Sequence, residues 1–123
     1  MKLIQKRVPY SFAALLLLPL FSCADGMITM RDLTALRMGM GPDDASRAMG
    51  VSPKEVFQWS MTKTGDSIIV HSYLLATGDY STTYFLAYRN DALIFWGYPQ
   101  EFGKSSDPVI REIGKGAIRR HVR

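Results

Sequence analysis

The sequence contains a single cysteine among its 123 residues, and this scarcity excludes several kinds of site. One cysteine cannot form an internal disulfide framework, a cysteine-rich zinc site or a CxxC redox pair. The chain also has only two histidines, and it contains no GxSxG, HExxH, Walker or glycine-rich dinucleotide pattern. We therefore predict neither catalysis nor a bound metal or cofactor. At 13.8 kDa the chain has room for one domain.

Long hydrophobic runs are scarce as well, with one exception near the start of the chain. Lys2, Lys6 and Arg7 are followed by an uncharged segment over residues 8–21. A helix of that length spans roughly 21 Å, which is shorter than the roughly 30 Å of hydrocarbon that a spanning helix must cross. A positive start followed by a short apolar segment is typical of a secretory signal. The sequence therefore predicts a cleaved signal peptide over residues 1–22.

The end of this segment resembles the lipobox of bacterial lipoproteins, because it reads Leu20-Phe21-Ser22-Cys23. The resemblance implies a thioether-linked diacylglycerol on Cys23, cleavage before that residue and a third acyl chain on the new amino group. In the sorting pattern of such lipoproteins, Ala24 rather than aspartate implies the periplasmic face of the outer membrane rather than the inner membrane. Two alternatives stay open: an ordinary cleaved signal with an incidental cysteine, and a buried structural cysteine.

The net charge of +4 is concentrated at the two ends of the chain. The signal segment carries three positive charges, residues 24–110 have a net charge of −3, and residues 111–123 have a net charge of +4. A nucleic-acid interface needs a clustered basic face, so no nucleic-acid partner is predicted for the acidic body. Within the basic tail, Arg119, Arg120 and Arg123 are candidates for contact with anionic membrane phosphates. A solvated, frayed terminus is the alternative.

Residues 23–123 are predicted to form one α+β domain that begins with two short helices. Apolar spacing predicts the first helix over residues 27–36. Gly41 and Pro42 are typical of a helix start, and Gly50 is typical of a helix end, so the second helix is predicted between them. Near the end of the chain, Asp107 and Pro108 predict a short C-terminal helix, and Gly114 weakens its continuation.

An alternating pattern with turn residues between the segments predicts four antiparallel strands. These predicted strands cover residues 55–62, 67–76, 81–89 and 92–98. Asn90 and Asp91 tolerate positive φ, so they predict a two-residue hairpin turn of type I′. That turn implies the cross-strand pairs Tyr88–Leu93, Leu86–Phe95 and Tyr84–Gly97.

The same register predicts a second apolar face made of Phe85, Ile94, Trp96 and Tyr98. Protein interfaces favour aromatic residues, so this face is the candidate partner-binding surface. The alternative is that the C-terminal helix or the strand at residues 55–62 covers it.

Two stretches resemble the SmpA/OmlA (BamE-like) family of small outer-membrane lipoproteins. Residues 36–50 have the form LxxGMxxxxAxxxMG, which is similar to the Gly-Met, second-helix and Leu-Gly signature of that family. Residues 84–96 are similar to its last hairpin. The resemblance implies two helices packed on a three-stranded antiparallel sheet, to which residues 55–62 add a fourth strand.

These observations predict a lipid-anchored cell-envelope protein that acts by binding. It would serve as a scaffold or accessory subunit of an envelope or outer-membrane assembly, with an envelope protein as its partner. The alternative is a periplasmic protein inhibitor, because related helix-and-sheet folds such as the β-lactamase inhibitory proteins block enzymes with exposed aromatics.

Two further residue groups are assigned structural roles rather than chemical ones. His71 lies in an alternating segment between Val70 and Ser72 and is predicted to be an ordinary strand residue. Several methionines lie close together near the start of the mature chain, and thioethers suit Cu(I). Core and loop positions are the preferred interpretation for these residues: Met27, Met30, Met38 and Met40.

Overall fold

The computed structural model describes residues 26–122, which confirm the α+β class. The strands are β1 (Met27–Ile28), β2 (Glu55–Ser60), β3 (Ser67–Thr77), β4 (Tyr80–Arg89) and β5 (Ala92–Gly97). The helices are α1 (Met30–Leu33), α2 (Pro42–Met49), α3 (Pro99–Gly103) and α4 (Pro108–His121). Within this range, no helix combines the length and the apolar character needed to cross a membrane.

The five strands form one mixed sheet, in which β3 has neighbours on both edges. β4 pairs antiparallel with one edge of β3, and β5 pairs antiparallel with the outer edge of β4. The other edge of β3 pairs antiparallel with β2 and, at Leu74 and Leu75, parallel with β1. The predicted sheet was wholly antiparallel, and β1 is the exception. Parallel neighbours need a long connection, and both N-terminal helices lie in the segment that follows β1.

The first helix is much shorter than the predicted segment over residues 27–36. A capping box determines where it begins. Thr29 Oγ1 accepts a hydrogen bond from the Asp32 N–H at 3.3 Å, and the Asp32 carboxylate accepts one from the Thr29 N–H at 2.9 Å. The helix therefore begins at Met30, and the two residues before Thr29 extend along β3 instead.

The second helix confirms its predicted start and end. Gly41 is the N-cap and Pro42 is the first helical residue, where its missing N–H costs nothing. Gly50 ends the helix with φ of 75°, a left-handed conformation that favours glycine. Ala45 and Met49 are buried against the sheet, so α2 covers one of its faces.

The β4–β5 turn also forms as predicted. Asn90 and Asp91 have φ values of 51° and 67°, and Tyr88 pairs with Leu93. Beyond that pair the register shifts by one residue at a β-bulge, so the other two predicted pairs are wrong. The observed pairs are Ala87–Phe95, Leu86–Trp96 and Phe85–Gly97.

The bulge decides which way the side chains of β5 point. With one extra residue in the strand, the consecutive residues Ile94 and Phe95 both pack against the same side of the sheet. Trp96 then packs against the opposite side. A regular strand would have placed Ile94 and Trp96 together, as the sequence pattern suggested.

Each face of the sheet has its own apolar core, and one side of β2, with Val56, Gln58 and Ser60, is exposed. The core on the α1 and α2 side contains the buried residues Ile28, Leu36, Ala45, Met49, Tyr73, Leu75, Tyr84, Leu86, Tyr88 and Leu93. The core on the α3 and α4 side contains the buried residues Ile68, Val70, Phe85, Ala87, Phe102, Ile113 and Ala117.

The C-terminal part is more helical than predicted. The sequence pattern indicated only the end of the sheet at Pro99, but α3 begins there. α4 is 14 residues long and continues through Gly114, which was expected to weaken it. Gly114 and Gly116 are buried because they let the helix backbone approach Phe102 and Trp59 closely. Their helix-weakening effect is offset by this packing.

Candidate functional site

The predicted lipidation site, Cys23, lies outside the described residues, and so does Arg123. The described chain begins at Gly26, three residues after Cys23, and Met27 already pairs with Leu74 of β3. The folded domain therefore begins within a few residues of the predicted anchor.

The four residues of the candidate partner surface are not brought together on one face. Phe85 is fully buried beneath α3 and α4, with its ring centroid 6.0 Å from that of Phe102. Ile94 packs against the same core, whereas Trp96 and Tyr98 pack against the core on the other side of the sheet. All except Phe85 are half-buried. The β-bulge and the C-terminal helices together account for this arrangement.

The last turn of α4 contacts β2 through His121, and the sequence pattern does not predict this contact. Nδ1 of His121 lies 3.0 Å from Oε1 of Glu55. Its ring also stands edge-on to Phe57 and Phe85, with centroid distances of 6.3 and 5.9 Å. Glu55 is 66 residues away along the chain, so local sequence carries no signal for this pair.

The described arginines of the basic tail differ in their surroundings. The Arg120 guanidinium lies over the Trp59 ring, 4.1 Å from its centroid, and donates a hydrogen bond to the Gly116 carbonyl at 2.9 Å. Such a stacked cation stabilises the packing of α4 on β2. Arg119 is exposed. Of these two candidate membrane-contact residues, only Arg119 presents an uncommitted positive charge.

A buried polar cluster lies on the α2 side of the sheet. It contains His71 and Tyr73 of β3, Tyr88 of β4 and Ser46 of α2. The Tyr73 hydroxyl and Ser46 Oγ are 3.1 Å apart and hydrogen-bonded. The ring centroids of His71 and Tyr88 are 5.1 Å apart. Within residues 26–122, neither Nδ1 of His71 nor the Tyr88 hydroxyl has a hydrogen-bond partner.

Burial dominates the electrostatics of this cluster. It lowers the pKa of His71 below the ordinary value of 6.5, and the nearby carboxylate of Asp43 opposes that change. Burial likewise raises the pKa of the Tyr88 hydroxyl far above 10. His71 is therefore neutral at neutral pH and chemically able to accept a proton. Its side chain is only 8% exposed, however, so access to it is restricted.

Matched tyrosine substitutions test the hydrogen bonding in this cluster. Tyr73→Phe is expected to lower the free energy of unfolding by about 1 kcal/mol, because it removes the bond to Ser46. Tyr88→Phe is expected to leave that free energy unchanged or to raise it by up to about 1 kcal/mol, because it removes a buried hydroxyl without a protein partner. Urea unfolding of the purified variants measures both. A larger loss of unfolding free energy for Tyr88→Phe than for Tyr73→Phe would contradict the conclusion that the Tyr88 hydroxyl has no hydrogen-bond partner in the protein.

His71 also predicts how stability depends on pH. Its pKa is lower in the native state than in the unfolded state, so on acidification the unfolded chain binds the proton first. We expect stability to fall as the pH drops through 6.5 toward the lower native pKa. His71→Phe should flatten this dependence between pH 7.5 and 5.5, whereas His121→Gln should leave the His71 contribution in place. Urea titrations at several pH values give the free energy of unfolding as a function of pH. If this free energy changes equally with pH in the wild type and in His71→Phe, His71 does not cause the pH dependence.

Of the four methionines, Met40 lies against the core and Met38 in a turn, as predicted, whereas Met27 belongs to a strand and Met30 to a helix. Met27 is half-buried in β1, Met40 packs against the core beside α2, and Met30 and Met38 are exposed. Across residues 26–122, no three histidine, cysteine, aspartate or glutamate side chains cluster in a way that could hold a metal ion.

Comparison with known proteins gave no relative for this chain. No protein-family model, no curated protein and no solved structure matches it at a significant level.

Proposed function

We propose that the protein is a lipid-anchored lipoprotein of the cell envelope that acts by binding, as a scaffold or accessory subunit of an envelope or outer-membrane assembly. The observation that carries the proposal is the position of the lone cysteine. Cys23 follows a positive start and a short apolar segment, at the place where the lipobox pattern needs it. The described domain begins three residues later, so the anchor and the domain are adjacent.

The arrangement of the polar groups supports binding rather than catalysis. His71 and Tyr88, the two titratable groups that pack together inside the domain, are both buried on the face that α2 covers. A substrate would have to displace part of this core to reach them.

The inhibitor alternative is less well supported by the described surface. It relied on exposed aromatic side chains, but Phe85 is buried and Trp96 and Tyr98 are half-buried. Among the exposed large hydrophobic side chains of residues 26–122, Tyr80 is the one aromatic residue. A single exposed tyrosine at a turn offers little of the aromatic surface that such inhibitors use.

Chemical crosslinking in intact cells tests the binding role. The full-length protein is purified from detergent-extracted envelopes, and Cys23→Ser, expressed at the same level, serves as the matched control. We expect the wild type to capture membrane-embedded envelope proteins that the variant does not capture. A one-to-one complex with a soluble enzyme, retained by both forms, would support the inhibitor alternative instead. Loss of a measurable activity in a folded His71→Ala variant would indicate an enzyme.

A further inference from the structure

β2 forms a free edge of the sheet along its whole length. It pairs with β3 on one side, and within residues 26–122 no strand pairs with its other side. The strand is regular, because every residue from Glu55 to Ser60 keeps one register with β3. A free edge presents a row of unpaired N–H and C=O groups, which is a template for another strand.

The hydrogen bonds beside β2 show which of its backbone groups face outward. The N–H of Met61, directly after the strand, donates to the Asp66 carbonyl at 2.9 Å, so the backbone groups of Met61 face the β3 side. In an antiparallel pair of strands, residues that exchange hydrogen bonds alternate with residues that do not. The outward N–H and C=O groups therefore belong to alternate residues of β2, whose side chains are exposed as well: Val56, Gln58 and Ser60.

The outer edge of β2 lacks the features that usually protect a free strand. Between Glu55 and Ser60 there is no proline, no lysine and no β-bulge. The opposite edge of the sheet differs, because loop residues bond to β5 there. The Gly39 N–H donates to the Leu93 carbonyl, and the Leu93 N–H donates to the Met40 carbonyl, both at 2.8 Å. β2 is therefore the open edge of this sheet.

The outward backbone groups of β2 are complementary to those of an identical strand. Val56 and Ser60 lie equally far from Gln58, on either side of it. A two-fold axis through Gln58 therefore places Val56 of one copy opposite Ser60 of the other, in an antiparallel pair. Each outward N–H then meets an outward C=O of the second copy, so the row of unpaired groups is satisfied.

The side chains of β2 match across the same axis. On the side that α4 covers, Phe57 of one copy lies opposite Trp59 of the other, and aromatic cross-strand pairs stabilise sheets. Both residues are only half-buried, so each keeps surface for this contact. On the other side, the two Gln58 amides meet, and amides can both donate and accept hydrogen bonds.

The charges at the ends of β2 also permit this pairing. Glu55 lies opposite Met61 of the other copy, and Lys54 lies opposite Thr62, so no like charges face each other directly. The turn that carries Lys63 in one copy follows just beyond Glu55 of the other. Opposite charges therefore approach each other at both ends of the paired strands.

We infer that β2 binds β2 of a second copy of this chain, antiparallel and with the two Gln58 residues opposite each other. The two sheets then form one continuous sheet in a symmetric dimer, in which the same surface of both copies makes the contact. This inference goes beyond the proposed lipid anchor and does not depend on it, because all the residues that carry it lie within the described domain.

Cysteine crosslinking of the full-length protein, purified in mild detergent, tests the register. The Cα atoms of a hydrogen-bonded antiparallel pair are about 5.5 Å apart, a distance that a disulfide spans. Gln58→Cys should therefore form a disulfide-linked dimer under mild oxidation. Val56→Cys and Ser60→Cys should form none when expressed alone, because each residue lies about 14 Å along the strand from its own equivalent. These two variants should link to each other when they are co-expressed.

Mass spectrometry of the linked peptides identifies the bonded cysteines, so that disulfides through Cys23 are not counted. Equal linkage of all three variants alone would indicate random collisions and would overturn the pairing, as would the absence of a link between two copies of Gln58→Cys. Linkage of Gln58→Cys only to a different protein, in cells oxidised before extraction, would assign the edge to an extended segment of that partner instead.

Gln58→Lys tests the dimer without introduced cysteines. It places two positive charges directly opposite each other in the pairing, which destabilises it, whereas position 58 is exposed in the single domain. Gln58→Thr is the matched control, because it is uncharged and favours strands. Sedimentation velocity over a concentration series should show Gln58→Lys dissociating at higher concentrations than the wild type and Gln58→Thr, with unchanged circular dichroism. A monomeric wild type, or a Gln58→Lys dimer as stable as the wild-type dimer, would contradict the inference.

Discussion

Cys23→Ser is expected to move the protein almost completely from the membrane fraction to the soluble fraction. Serine has no thiol, so it cannot form the thioether to diacylglycerol that the lipobox resemblance implies. Each buried methylene of an acyl chain contributes about 0.8 kcal/mol to membrane binding, so two or three chains make a stable anchor and their loss removes it. The measurement is fractionation of cells with labelled palmitate, followed by a carbonate wash of the membranes.

Ser22→Ala is the matched control for this prediction. It changes the neighbouring residue but keeps a small side chain at that position of the pattern. We expect this variant to remain in the membrane fraction and to incorporate palmitate like the wild type. Membrane association and palmitate incorporation by Cys23→Ser would show that the cysteine is incidental or structural.

Gly114→Ala is expected to lower the free energy of unfolding by about 1–3 kcal/mol, the usual cost of overpacking a core. A methyl group on Gly114 would overlap Cβ of Phe102, which is fully buried between α3, α4 and the sheet. Either the helix or the Phe102 ring must then move away from its packed position. For a domain of this size, 2 kcal/mol corresponds to a decrease in Tm of about 8–16 °C. Thermal unfolding followed by circular dichroism measures this change.

Gly103→Ala provides the comparison in the same part of the fold. Gly103 is in α3, and a methyl group there would meet no atom within 4 Å. Alanine is favoured over glycine in helices by up to about 1 kcal/mol, so this variant should be as stable as the wild type or more stable. A Gly114→Ala variant that is no less stable than Gly103→Ala would contradict the close packing of α4 against α3.

Features determined by neighbouring residues could be predicted from the sequence. Gly41, Pro42 and Gly50 determine the start and end of α2 through local backbone preferences. Asn90 and Asp91 accept the positive φ that a tight hairpin needs, so the turn and its first cross-strand pair could also be predicted. In each case the residues that carry the signal are the ones that adopt the conformation.

Features determined by distant contacts could not be predicted. The bulge at Ile94 reverses the expected direction of Trp96, and it places Ile94 and Phe95 together against the α4-side core. Gly114 looked like a helix breaker because its partner, Phe102, lies in α3, whose formation the sequence pattern did not indicate. The parallel pairing of β1 depends on β3, more than 40 residues away.

Distant contacts also explain why the candidate site in the structure differs from the predicted one. The aromatic surface depended on an unbroken register, and the bulge divides it between the two faces of the sheet. The three arginines of the basic tail were predicted as a unit, but Arg120 stacks on Trp59, whereas Arg119 is exposed. His71 and Tyr88 lie in two different strands, so no local sequence pattern predicts that their side chains are neighbours.

The central claim of a lipid anchor is tested most directly by mass spectrometry of the N-terminal peptide of protein purified from the envelope. The account predicts that the mature chain begins at Cys23, with a diacylglycerol on its sulfur and an acyl chain on its amino group. A chain that begins at any other residue, or one that begins at Cys23 with an unmodified thiol, would contradict it.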